Sequence, residues 1–177
     1  MAADFGGGSG NTFFGAAGAW GMGSGRLQVS GAAGAQRVRN ATRGSYGARA
    51  TAGIWTSAGG GLAAAAFAGF GGAPRTRLSG VVTNPAVTNI PAGVSVALRH
   101  ALGSTREVSA YATPFYRWTR TDSGTVTSTG TMRVSLGLDF AFSQSFGATI
   151  GAELGGKNGS SNTTSFGAAL SFVPGRR

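Results

Sequence analysis

The sequence predicts an all-β protein: an antiparallel, up-and-down transmembrane β-barrel of eight or ten strands. Three observations lead there. Apolar residues recur at every second position, the stretches doing so run about 9 to 12 residues, and their links alternate short and long. Period two is the signature of a strand with one face out of water. Strands of soluble proteins usually have about five or six residues, whereas about 9–11 tilted residues cross a bilayer. Links short at one end and long at the other are the hairpin pattern of a membrane-spanning barrel.

The clearest stretch is Met132 to Phe142. Met132, Val134, Leu136, Leu138, Phe140 and Phe142 fall on one face; Arg133, Ser135, Gly137, Asp139 and Ala141 fall on the other. The next sets Ala148, Ile150, Ala152 and Leu154 against Gly147, Thr149, Gly151 and Glu153. The last sets Phe166, Ala168, Leu170 and Phe172 against Gly167, Ala169 and Ser171. Weaker alternation marks Val94 to Leu102. In Val108 to Trp118, Val108, Ala110, Ala112, Pro114, Tyr116 and Trp118 oppose Ser109, Tyr111, Thr113, Phe115 and Arg117. Leu62 to Phe70, Tyr46 to Thr56, Leu27 to Gln36 and Phe13 to Met22 bring the expected strands to nine. Short turns are expected at Gly23–Gly25, Ser57–Gly60, Gly103–Arg106 and Ser143–Ser145. Long links are expected at Arg37–Ser45, Gly71–Gly93, Asp122–Gly130 and Gly155–Thr164. The longest carries Pro74, Pro85, Pro91, Asn84 and Asn89, which is loop chemistry.

Composition closes other routes. Gly and Ala make up 63 of 177 residues, yet 41% of the chain is apolar, which argues against disorder. Gly does not recur at every third position, so this is no collagen. A membrane helix needs about 20 apolar residues. The best run, Gly59 to Ala73, is broken by six glycines. The absence of Cys excludes disulfides, thiolate zinc sites and thiol nucleophiles, and one His (His100) argues against a catalytic triad or a His-based metal site. No catalytic residue, metal ligand or cofactor is expected. Gly-x-Gly patterns are unavoidable in so Gly-rich a chain, and none has P-loop spacing. The Asn162-Thr163-Thr164 sequon is uninformative, and His100 reads as interfacial.

In lipid every backbone polar group must be paired within the protein, so strands must close on themselves. One face then meets hydrocarbon: Met132, Val134, Leu136, Leu138, Phe140, Phe142, Ile150, Leu154, Phe166, Leu170 and Phe172 are the expected lipid-facing set. The Gly, Ala, Ser and Thr of the other face suit a small lumen. Trp20, Tyr46, Phe70, Tyr116, Trp118, Phe146, Phe166 and Phe172 stand near strand ends, where interfacial girdles sit.

On this pattern the chain resembles bacterial outer-membrane β-barrel proteins as a broad class, over Phe13 to Phe172. The final strand, Ser165-Phe166-Gly167-Ala168-Ala169-Leu170-Ser171-Phe172, looks like the terminal signal read by the barrel-assembly machinery. The resemblance implies an outer-membrane location in a Gram-negative bacterium and a structural or passive, narrow-pore role. The tail Val173-Pro174-Gly175-Arg176-Arg177 departs from it, since members often stop on the aromatic. Nine strands is also an odd number for a class with even counts. Either a tenth strand is missing, or Phe13–Met22 lies outside an eight-stranded barrel. Residues 1–12 are accordingly an N-terminal extension or truncated strand, 13–173 the barrel, and 174–177 a tail. Met1-Ala2-Ala3-Asp4 has neither the basic nor the apolar region of a signal peptide, as expected of a mature form, a fragment or a late-start gene model.

The net charge is +10, and fourteen of the fifteen basic residues are Arg. Arg37, Arg39, Arg43, Arg75, Arg77, Arg120 and Lys157 map to the long links or their rims, opposed by Asp122. They read as a basic loop surface for lipopolysaccharide phosphates or other anions, or as a merely solvated rim. Nucleic acid is a poor fit, with no recognition motif and an apolar face to explain. On the lumen face stand Arg49, Arg99, Arg117, Arg133, Asp139 and Glu153. They read as structural ion pairs, as an anion-preferring pathway, or as an Asp139/Glu153 acid–base pair, the last without a supporting nucleophile. A soluble or secreted β-rich binding or filament-forming protein, assembling through open edges, is the alternative.

Overall fold

A computed structural model of the chain describes residues 2–8, 11–22, 26–38, 41–78, 81–155, 157–158, 161–162 and 164–173. Ten antiparallel strands close into a barrel. They are β1 (Ala2–Gly8), β2 (Asn11–Met22), β3 (Leu27–Val38), β4 (Ala41–Thr56), β5 (Leu62–Ala73), β8 (Ala86–Ala101), β9 (Glu107–Asp122), β10 (Val126–Ala141), β11 (Phe146–Gly155) and β14 (Ser165–Phe172). Two small hairpins interrupt the series: β6 (Thr76–Leu78) with β7 (Val81–Asn84), and β12 (Lys157–Asn158) with β13 (Ser161–Asn162). Each barrel strand pairs with its neighbours in sequence, and β1 pairs with both β2 and β14 to close the ring.

The parity problem is thereby resolved. The tenth strand is β1, within the segment expected to be an extension or truncated strand, and Phe13–Met22 belongs to the barrel. Ala2-Ala3-Asp4-Phe5-Gly6-Gly7-Gly8 has no alternating pattern of its own. It is a strand because two neighbours offer it backbone partners, from Ala2 opposite Ser171 to Gly7 opposite Thr12.

Even parity puts both ends of the strand series on one rim, here called the turn end, with the β2–β3, β4–β5, β8–β9 and β10–β11 links. These are the expected short turns; Gly23–Gly25 lies outside the described residues. They are closed locally. The Leu102 amide donates to the Arg106 carbonyl (2.9 Å), and the Ser143 hydroxyl accepts from the Ser145 and Phe146 amides.

At the opposite rim, the hairpin end, the expected long links are mostly strand. Of Arg37–Ser45, the described residues belong to β3 and β4 and pair up to Val38 opposite Ala41; Ala86–Gly93 belongs to β8, and Val126–Gly130 belongs to β10. The Asp122–Gly130 link shrinks to a turn in which the Asp122 carboxylate accepts the Gly124 amide (3.1 Å). Gly124 has a φ of 118°, which L side chains rarely adopt. These extensions escape a search for alternation because residues 126–130 are exposed throughout. A hairpin wet on both sides has no need of period two.

Small residues let the walls approach. A Cβ on Gly137 would lie 2.3 Å from the Tyr111 hydroxyl, which is also 3.0 Å from the Cβ position of Gly151. The Tyr111 ring thus lies across both glycines from the next strand and is hydrogen-bonded with Ser135. Gly137→Val is expected to eject the ring and cost about 1–3 kcal/mol, as over-packing does. Urea unfolding checks this, and adding Tyr111→Ala should recover part of the loss.

Candidate functional site

Hydrophobic burial is inverted relative to a soluble domain. Among the described residues the buried apolar side chains are Phe67, Ala73 and Phe115, while exposed large apolar side chains occur on every barrel strand from β2 to β14. Trp20 is 75% exposed and Met132 is 65% exposed. Eight of the proposed lipid-facing residues alternate with the interior as expected and are exposed outright with Met132 and Phe142: Val134, Leu136, Leu138, Ile150, Leu154, Phe166, Leu170 and Phe172; Phe140 is half-buried, its ring stacked on Phe142.

The outer aromatics fall into two rows. Trp20, Trp55, Phe142, Phe146 and Phe172 lie towards the turn end; Phe14, Tyr46, Phe70, Tyr116, Trp118 and Phe166 lie towards the hairpin end. A bulge between Gly53 and Trp55 leaves both Ile54 and Trp55 exposed, which strict alternation does not anticipate.

The interior gathers the charges. Arg49, Arg99, Arg117, Asp139 and Glu153 line one 620 Å³ cavity, and Arg133 joins them through Glu153. Glu153 Oε2 accepts from Arg117 Nη2 at 2.6 Å, and Glu153 Oε1 lies 2.5 Å from Arg133 Nε. Arg117 also lies over the Phe115 ring at 5.3 Å. The Phe115 ring meets Phe67 at 6.1 Å between centroids, and Arg49 lies 3.7 Å over Phe67. A run of contacts therefore leads from Arg49 on β4 to Glu153 on β11. These strands are five steps apart in the ten-strand ring, on opposite walls. The cluster is a girder of inward side chains linking half the ring.

Alternation placed Tyr111 and Phe115 on the polar face, where their bulk among Ser and Thr is the one hint of such a girder. Phe67 carried no comparable hint. Asp139 accepts the Thr149 hydroxyl at 2.6 Å, while Glu153 is held between two guanidinium groups. Each carboxylate thus serves a different set of partners, an arrangement that suits structure better than a shared proton. The half of the lumen facing β1, β2, β3 and β14 is lined by small residues, among them Gly6, Gly15, Ala32, Gly34 and Ala169, with Phe13 lying over Gly15 and Gly34.

The basic rim is more dispersed than expected. Arg37 and Arg120 are exposed, but stand on β3 and β9 rather than on loops. Arg75 is ion-paired with Asp122. Arg43 corrects the expectation of an outward loop residue. It lines the interior at the hairpin end, donates to the Pro85 carbonyl at 2.7 Å and reaches Gln36 Oε1 at 3.4 Å. Its odd position on β4, in phase with Arg49, turns it inward once the strand extends to Ala41. Arg39 lies outside the described residues, as do the side chains of Arg77 and Lys157. His100 is exposed near the end of β8 at the turn end.

No protein-family model matches the chain, and the comparison with curated proteins finds no match. The fold and the chemistry of its two surfaces carry the functional reading.

Proposed function

We propose that this protein is embedded in a bacterial outer membrane as a ten-stranded barrel with a passive, narrow-pore or structural role. One observation carries the reading: the wall is apolar outside and polar, charged and glycine-rich inside. In water the exposed apolar belt would far exceed the few hundred Å² that monomers tolerate. In a bilayer the same belt becomes the buried surface.

The dimensions support this. Met132 to Phe142 covers about 33 Å of strand, or about 25 Å along the axis at the usual ~40° tilt, the height of the apolar band of such barrels. The two aromatic rows bound it, as interfacial girdles do. Arg37 and Arg120, exposed near the hairpin end, suit the phosphates of anionic lipopolysaccharide. The closing strand β14 is the part the barrel-assembly machinery would read. The closed ring leaves its ten strands without a free edge, which disfavours assembly into a filament through open edges.

Tryptophan fluorescence tests the reading. The three tryptophans, Trp20, Trp55 and Trp118, lie near the two aromatic rows. After refolding into vesicles, lipids brominated near the headgroup should quench them more strongly than lipids brominated at the chain terminus. Fluorescence indifferent to bromine at either depth would contradict membrane embedding.

A further inference from the structure

Resting on that membrane reading, we infer that the lumen passes small inorganic anions and that Arg49 sets its charge selectivity. The interior charges are unbalanced around the middle of the barrel. Arg117 and Arg133 share a single carboxylate, Glu153. Arg49 makes no ion pair with a described carboxylate; it is held against the Phe67 ring midway along β4. A guanidinium stacked by its flat face keeps N–H donors along its edge, the geometry that receives oxyanions and halides.

Cations also stand on either side of Arg49 along the barrel. Arg43, in a 390 Å³ cavity towards the hairpin end, donates to neutral acceptors, the Pro85 carbonyl and Gln36. Arg99 lines the 620 Å³ cavity with Arg49 and makes no ion pair with a described carboxylate. Asp139, the opposing charge in that cavity besides Glu153, accepts the neutral Thr149 hydroxyl and keeps its charge. An anion entering at the hairpin end thus meets Arg43 and then Arg49, Arg99 and Arg117, and although Glu107 and Asp139 line the turn-end cavity, the five interior arginines outnumber Glu107, Asp139 and Glu153. Both cavities are small. The fitting class is chloride, nitrate or phosphate rather than a sugar or nucleotide.

The test is planar-bilayer recording of the full chain under a potassium chloride gradient. Native protein should show a reversal potential on the chloride side. R49Q should lower the chloride-to-potassium permeability ratio about fivefold, the effect of one unit charge a few ångströms away in a wet pore. R49K, which keeps the charge, should retain most of the ratio. E153Q should raise it, because two arginines lose their neutralising partner. A structural role for Arg49 would not produce opposite shifts in R49Q and E153Q. Cation selectivity, or an R49Q ratio equal to the native one, overturns the inference. A protein that inserts, shown by a heat-sensitive folded band from the same vesicles, yet carries no current overturns the inference and leaves the membrane reading intact. Failure to insert at all overturns both.

Discussion

Leu136→Arg is expected to destabilise the folded protein by about 2–4 kcal/mol when it is measured in lipid vesicles, the cost of a cation near the midplane of a barrel's outer wall. Leu136 lies midway along the Met132–Phe142 face and is exposed. On a water-facing surface the same change would be worth no more than about 0.5 kcal/mol. The substitution therefore separates the two solvents cleanly. Thr125→Arg, in the exposed β9–β10 turn, is the internal control and should be close to neutral. Denaturant titration of both variants reads the difference, and equal stabilities would contradict a lipid-facing wall.

Glu153→Gln is expected to cost about 2–3 kcal/mol, toward the low side for breaking a buried ion pair because some water reaches the site. The carboxylate is the shared partner of Arg117 and Arg133, and the Arg133 side chain is only 8% exposed. Replacing the carboxylate by an amide leaves two guanidinium groups close together with their common counter-charge gone. The logic extends to a multiple variant. Exchanging Glu153, Arg117 and Arg133 together for apolar residues of similar size should cost less than Glu153→Gln alone, because no unpaired charge remains. Unfolding midpoints in micelles or vesicles check the order; a Glu153→Gln protein as stable as the native one would show that the girder carries no stability.

The barrel class was legible because a closed wall with an apolar outer face and a polar lumen forces strict alternation on the residues that form it. Met132 to Phe142 alternates without interruption for that reason, and the faces assigned to it are those observed. What alternation could not reveal lies outside that constraint. β1 is specified by the edges of β2 and β14, a long-range condition with little local imprint. The strand extensions around Thr119–Thr129 are polar on both faces apart from Val126, and only the Asp122-Ser123-Gly124 turn chemistry marks them. The interior charges could be assigned to one face from position alone. Their pairing could not, because the partnership of Arg117 with Glu153 depends on how far around the ring two strands lie. The bulge at Gly53/Trp55 likewise shifts phase without a proline or a charge to announce it.

The most direct test of the central claim is native fractionation followed by electrophoresis with and without boiling. The protein should partition with the outer membrane, and unboiled protein should run as a compact band that shifts on heating, because a closed ten-stranded barrel resists detergent until heat opens it. Recovery in the soluble fraction, with the same mobility before and after boiling, would contradict the account and make the exposed apolar belt an interface between protein subunits in water.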